Sequence, residues 1–278
     1  MKILFDDYSS WASRKVTKSY STSFYIGVKA LDKKIRNDVH AIYGFVRFAD
    51  EIVDSFHGFD KHQLLEEFKD ETYKSIDRKI SLNPILNSFQ ATVIKYDIDL
   101  SLIEQFFHSM SMDLEQVKYT KEKYEEYILG SAEVVGLMCL KIFVLGNEQE
   151  FQKLKPFAMK LGSSFQKINF LRDLKDDFHE LGRSYFPRLE SEELSNTDKV
   201  KIEKEIQAEF DEALIGIKML HKTSRFGVYI SYRYYSKLLK KIKRKTAEDL
   251  LKERIRIADK SKVIIFAKSY VRNYINLL

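Results

Sequence analysis

The sequence predicts an all-α fold, a helical bundle of roughly eight to ten helices. Three observations lead there. The chain of 278 residues contains only 10 Gly and 3 Pro, and so few breakers favour long helices over a turn-rich β fold. Long stretches repeat their apolar residues with the 3.6-residue period of a helix. No run alternates with the period of two that marks a strand, and no fixed-period repeat occurs. No Gly/Ser-rich linker separates a second unit, so residues 1–278 read as a single domain.

In chain order, residues 4–18 form a short amphipathic helix with Leu4, Phe5, Tyr8 and Trp11 on one side. Ser19 to Ser23 is a hydroxyl-rich connection leading into Phe24, Tyr25, Ile26 and Gly27. Asp32 caps the next helix, which continues to Asp54. Residues 61–75 and 84–96 are helical, the second opened by Pro84 at a first-turn position. Leu100 to Val117, Glu122 to Leu145 and Phe151 to Phe178 carry strong helical periodicity, the last with Pro156 near its start. A loop holding Gly182 and Pro187 precedes helices over 197–222, 226–245 and 247–276.

An apolar fraction of 44% with 20 Phe and 16 Tyr is ample for a large core. The single cysteine, Cys139, permits no internal disulfide and fits a reducing cytoplasm. The N-terminal residues lack the apolar core of a secretory signal. No stretch reaches the roughly eighteen uninterrupted apolar residues of a membrane span; Val134 to Leu145 comes nearest and is broken by Lys141. The net charge of +6 is concentrated at Lys240, Lys241, Lys243, Arg244 and Lys245, with Arg254 and Arg256 beyond. Such a cluster suits a solvated helix face, an anionic membrane surface or nucleic acid. Neither zinc-finger spacing nor an RNA-binding signature accompanies it, and no nucleic-acid partner is expected.

Two stripes carry the chemistry. Asp50 and Asp54 are four residues apart and share one helix face, and the stripe continues backwards through Arg47 to Tyr43. Val39, Ile42, Val46 and Val53 remain free to face a core. Like charges at this spacing repel; the face is either solvated or built for a cation. The second stripe is Asn169, Asp173 and Asp177, at i, i+4 and i+8, with Gln166 one turn earlier and Arg172 alongside. Hard oxygen ligands without cysteine suit Mg²⁺, which takes one or two carboxylates and completes its octahedron with water and phosphate oxygens. Arginine offers those phosphates a bidentate fork. A different metal chemistry stands beside this one: Asp54 to His57 and Asp176 to His179 have the i, i+3 spacing of di-iron helix bundles, although that arrangement takes further carboxylates from two more helices.

These residues resemble the phytoene/squalene synthase family. The resemblance rests on the Asp50–Asp54 pair and on Asn169, Arg172, Asp173 and Asp177 in N-x-x-R-D-x-x-x-D spacing. It is extended by Ser21-Thr22-Ser23-Phe24-Tyr25, by Ala41 to Arg47, and by Gly182-Arg183-Ser184-Tyr185-Phe186-Pro187. It spans roughly residues 10 to 270, most like bacterial phytoene or dehydrosqualene synthases. Tyr20 is a departure, since some members carry a histidine there that contacts diphosphate.

The resemblance implies an isoprenoid-synthase fold with a central cavity, and a head-to-head (1-1′) condensation of two allylic diphosphates through a cyclopropylcarbinyl diphosphate. The metal ligands it implies are Asp50, Asp54, Asn169, Asp173 and Asp177, holding two or three Mg²⁺ ions with the substrate diphosphates. Ser21, Ser23, Phe24, Tyr43, Arg47, Gln166, Arg172, Tyr235 and Arg254 are the implied substrate contacts, and Tyr127 contacts diphosphate or assists proton removal. Gly130, Ser131, Ala132 and Gly136 would wall the cavity with small side chains. Two geranylgeranyl diphosphates giving phytoene, in carotenoid biosynthesis, is the reading taken here. Dehydrosqualene or squalene synthesis from two farnesyl diphosphates is the alternative, with NADPH only in the reductive case. The implied location is cytoplasmic, with peripheral membrane contact for release of a hydrocarbon product.

Overall fold

The computed structural model describes residues 2–115, 119–179, 185, 186 and 194–274, with the side chains of 177–179, 259, 260, 271, 273 and 274 excepted. Thirteen α-helices and one π-turn are found among the described residues, and no strand. The fold class read from the sequence is therefore met.

Helix α3 (Lys33–Ser55) is the central element of the N-terminal half. Asp32 accepts a hydrogen bond from Lys34 N and caps it, as read from the sequence. Val39, Ile42 and Val53 are buried, with Val46 packed against the same core. At its centre Phe45 stacks on Phe89 of α5 (Pro84–Tyr96) with ring centroids 3.8 Å apart, and Phe106 and Phe107 of α6 (Leu100–Met112) close around them. Helix α4 (Lys61–Arg78), capped by Asp60, covers this cluster through Phe68. A second core gathers around α9 (Glu148–His179), where Ile168, Phe170 and Leu171 meet Ile206 and Phe210 of α10 (Asn196–Met219) and Tyr229 and Tyr232 of α11 (Lys222–Ile242).

Helix α1 (Lys2–Tyr20) buries the face opposite its apolar side chains. Leu4, Tyr8 and Trp11 are exposed, whereas Ser9, Ser13 and Thr17, one per turn, are fully buried. Small hydroxyl side chains let α1 lie close against α3 and α5. Ser13 Oγ lies 2.6 Å from Ser88 Oγ, Asn87 donates to Ser9 Oγ, and Thr17 Oγ1 lies 2.9 Å from His40 Nδ1. Hydrogen bonding offsets the burial of these polar groups.

Three expectations are corrected. The connection over 19–23 shrinks to Ser21, which caps α2 (Thr22–Lys29) by accepting from Phe24 N. The helix expected over 122–145 divides into α7 (Lys121–Ile128), a π-turn over Leu129–Glu133 and α8 (Val134–Phe143). Gly130 sits in that turn so close to α6 that a Cβ would lie 2.5 Å from Gln105 O. The helix expected over 247–276 is two, α12 (Ala247–Lys252) and α13 (Asp259–Tyr274), joined by a non-helical stretch. There Ile255 is buried and Ile257 packs on the core, and the whole stretch from Arg254 to Ala258 lines a cavity.

Candidate active site

One cavity of about 1000 Å³ opens between the two cores, at the upper end of small-molecule sites. Both acidic stripes line it. Helix α3 contributes Tyr43, Asp50 and Asp54; α9 contributes Gln166, Asn169, Arg172 and Asp173. Helix α2 and its cap add Ser21, Ser23 and Phe24, α7 adds Tyr127, α11 adds Tyr235, and Arg254 enters from beyond α12. Asp177 lies in α9, but its side chain is outside the described residues, as are Gly182, Arg183, Ser184 and Pro187.

The cavity has a charged end and an apolar one. Asp50 has its carboxyl pushed up to about 7, first by burial and then by the neighbouring Asp54, with Arg47 opposing. Two carboxylates held this way favour a proton or a cation between them. Asp173 is neutralised from two sides: Arg172 chelates it, and Arg254 Nε lies 2.6 Å from its Oδ1. Asn169 accepts from Tyr235 Oη at 3.2 Å and donates to Gln166, and Tyr235 stacks on Phe165 at 3.8 Å. Phe24 stacks on Tyr43 at 4.8 Å, and burial pushes the Tyr43 phenol up to about 12. Deeper in, the walls are apolar, with Met110, Phe143, Leu154, Phe157 and Leu220 among them.

Arg47 departs from its expected position. It does not line the cavity. Its guanidinium pairs with Glu51 at 2.6 Å, lies over the Tyr20 ring at 4.4 Å, and leaves its buried Nε without a hydrogen-bond partner. Glu51 thus holds the arginine, and Tyr20 covers it. Gly130 likewise turns away, packing on α6, while Ser131, Ala132 and Gly136 do line the cavity. Much of the basic run is engaged within the fold: Lys241 bonds Arg256 O, Lys243 bonds Gln207 and Lys245 bonds Glu253. His57 is exposed, and the His179 side chain is outside the described residues.

Among the described residues no three His, Cys, Asp or Glu side chains converge on one point. Instead Asp50 lies beside Asp54, and Asp173 is held by Arg172 and Arg254, a donor set that leaves the rest of a metal's shell to water and ligand oxygens.

Comparison with known proteins bears on the family and the fold. The squalene/phytoene synthase family profile matches residues 17–260. The chain belongs to this family. As a squalene/phytoene synthase it is a prenyltransferase. It is similar to phytoene synthase 2, chloroplastic, of Solanum lycopersicum, 26% identical over 282 residues that cover 94% of this chain and 89% of the relative. It is also similar to phytoene synthase 1, chloroplastic, of Zea mays, 25% identical over 249 residues covering 82% of this chain and 60% of the relative. A dehydrosqualene synthase crystallised with a ligand superposes with a TM-score of 0.81 over 98% of each chain at 18% identity. Squalene synthase HpnC from Alicyclobacillus acidocaldarius superposes with a TM-score of 0.73 over 85% of this chain and 93% of that one, also at 18% identity.

Several cavity residues of this squalene/phytoene synthase escaped sequence reasoning. Asp113, at the C-terminal end of α6, accepts from Tyr127 and Tyr185. Arg256 and Lys262 add charge at the rim. Asp113 stands alone in an apolar stretch with no acidic partner in register, and the two cations lie in a region read as continuous helix.

Proposed function

We propose that this prenyltransferase joins two geranylgeranyl diphosphates head to head to form phytoene, a reaction of carotenoid biosynthesis. The observation that carries the reading is that both acidic stripes, with Arg172 and Arg254, line one end of a single cavity whose remainder is apolar. That division suits two molecules with highly charged heads and long hydrocarbon tails. The similarity to phytoene synthases supports the twenty-carbon substrate. Farnesyl diphosphate, giving dehydrosqualene or squalene, is the second reading, supported by the structural neighbours; NADPH belongs only to the reductive case.

The donor set fits Mg²⁺. Its ligands are all oxygens, and Asp54 beside Asp50 helps burial to raise the Asp50 carboxyl. Asp50, Asp54, Asn169, Asp173 and Asp177 would hold the ions, and when bound these supply Lewis-acid neutralisation of the departing diphosphate. Arg172 and Arg254 would turn from Asp173 to the diphosphate oxygens, and Arg47 would leave Glu51 for them. Ser21 and Ser23 bind at the same end, while Gln166 and Tyr235 orient Asn169. Breaking the carbon–oxygen bond sends its electron pair to the leaving oxygen. The stacked faces of Phe24 and Tyr43 then flank the allylic cation, and the dry apolar depth protects it from water. The double bond of the second substrate attacks, closure gives the cyclopropylcarbinyl diphosphate, and its ionisation and rearrangement give the linear hydrocarbon.

No helix among the described residues is long and apolar enough to cross a membrane. The exposed Leu4, Tyr8 and Trp11 on α1, with Lys15 and Lys18 on the same helix, support peripheral contact with a membrane that takes up the product.

The test is diphosphate release from geranylgeranyl diphosphate with Mg²⁺, after chelation, and after Mg²⁺ is restored. Release that stops on chelation and returns with the metal supports the reading. Release indifferent to metal, or none under any condition, refutes it.

A further inference from the structure

Cavity-lining residues follow α9 from Asp173 back to Leu154, a span of about 28 Å at 1.5 Å per residue. Helix α10 runs antiparallel beside it. Lys167 bonds Glu205 near the charged end, Ser163 donates to Glu209 at 3.0 Å further in, and Phe157 meets Gly216 deeper still. Ala213, Gly216, Ile217 and Leu220 are the stretch of α10 that lines the cavity, and Phe157 lines it too. Gly216 is buried within the helix and its backbone is not left-handed, so no turn calls for glycine there. Glycine inside a helix is otherwise disfavoured. Space explains it: a Cβ at 216 would lie 2.3 Å from Phe157 Cβ, 2.8 Å from its Cγ and 3.3 Å from its Cδ2. The Phe157 side chain therefore rests on the bare backbone of α10, with its ring drawn against that helix.

An isoprene unit adds four chain carbons, about 5 Å when extended, close to the roughly 5.4 Å of one helical turn. Turns of α9 thus count isoprene units. With the reacting carbon level with Asn169, three units reach back about ten residues and four about thirteen. Phe157 stands level with the fourth unit, the one by which a twenty-carbon tail exceeds a fifteen-carbon tail. We infer that Gly216 sets the tail length the cavity accepts, by seating Phe157 on α10 and leaving room for a fourth isoprene unit. This rests on the geranylgeranyl reading above. A side chain at 216 would strike Phe157 at Cβ and Cγ, not at a flexible tip. Helix α10 is held against drawing away, because Ser163 and Lys167 both bond Glu209, the latter at 2.9 Å. The ring turns instead, and the lumen is the space open to it. Filling that space removes the burial of five apolar carbons from the longer tail and leaves the shorter one untouched.

The test compares kcat/KM of the full chain, with Mg²⁺, for geranylgeranyl and for farnesyl diphosphate. The wild type should favour the longer substrate. Gly216→Ala should move the ratio toward farnesyl diphosphate by about thirtyfold, mostly through KM. Adding Phe157→Gly to Gly216→Ala removes the displaced ring and should return the ratio to within about fivefold of the wild type. Phe157→Trp enlarges the same ring without touching Gly216, should shift the ratio the same way, and decides the matter if Gly216→Ala does not fold. A folded Gly216→Ala protein whose ratio is unchanged overturns the proposal. So does one that loses both substrates equally together with thermal stability, the signature of a packing role alone, or a shift that Phe157→Gly does not reverse. Wild-type protein that condenses farnesyl diphosphate only, or neither substrate, would instead overturn the reading on which the proposal rests.

Discussion

Arg254 Nε lies 2.6 Å from Asp173 Oδ1, so a residue from beyond α12 closes onto the second acidic stripe of α9. Arg172 holds the same carboxylate from its own helix. The cations suited to diphosphate and the anion suited to metal thus neutralise each other, and under the proposed function substrate and metal binding together would separate them. Partner exchange of this kind lowers the cost of leaving either charge uncompensated in a partly buried site.

Replacing Arg254 with Gln tests that exchange. It should strengthen binding of Mg²⁺ alone, because Asp173 is released, while lowering kcat/KM by about a hundredfold through loss of charge stabilisation as diphosphate departs. Titration calorimetry with Mg²⁺ and steady-state kinetics read the two effects. Weaker Mg²⁺ binding in the variant would show that Arg254 does not compete for Asp173.

Glu51→Gln releases Arg47 from its 2.6 Å ion pair. Inorganic pyrophosphate with Mg²⁺ should then bind about fivefold more tightly, the equivalent of the roughly 1 kcal/mol of a partly exposed pair. Unchanged affinity would mean that Arg47 does not reach the diphosphate.

Both stripes were legible because a helix converts spacing directly into a shared face. Asp50 with Asp54, and Asn169 with Asp173, needed no tertiary information beyond the fact that their helices face one cavity. Asp113 was not legible: its partners Tyr127 and Tyr185 come from different elements, and nothing in its local pattern marks it. On helix α1 the apolar stripe does not mark the core face, because the close approach of α3 and α5 selects Ser9, Ser13 and Thr17. The break at 253–258 was missed because charged and apolar residues alternate there over too short a stretch to stand out from a helical pattern.

His40 makes stability pH-dependent. Burial, with Arg14 and Arg36 nearby, lowers it from 6.5 to about 4. The unfolded chain therefore binds this proton first, and stability falls as pH drops from 6.5 towards 4, by about 3 kcal/mol in total. Asp50 is raised and tilts the other way, so the comparison must be with His40→Gln, which keeps Asp50. Urea unfolding across this pH range should give a shallower acid loss in the variant; parallel curves would refute the assignment.

Gly130→Ala would drive a Cβ to 2.5 Å from Gln105 O and 2.6 Å from Ser109 Cβ. The π-turn must shift, costing about 1–3 kcal/mol and displacing Tyr127, two residues before it. Thermal melting and single-turnover kinetics should both register the change. Wild-type values in both would show that the turn is soft enough to absorb the methyl group.

The most direct test of the central claim is the mass of the hydrocarbon formed when the purified protein and Mg²⁺ receive equimolar geranylgeranyl and farnesyl diphosphates. The account predicts a forty-carbon product with the mass of phytoene. A thirty-carbon product alone would contradict the assigned substrate, and release of prenyl alcohols with no condensed hydrocarbon would contradict the head-to-head reaction itself.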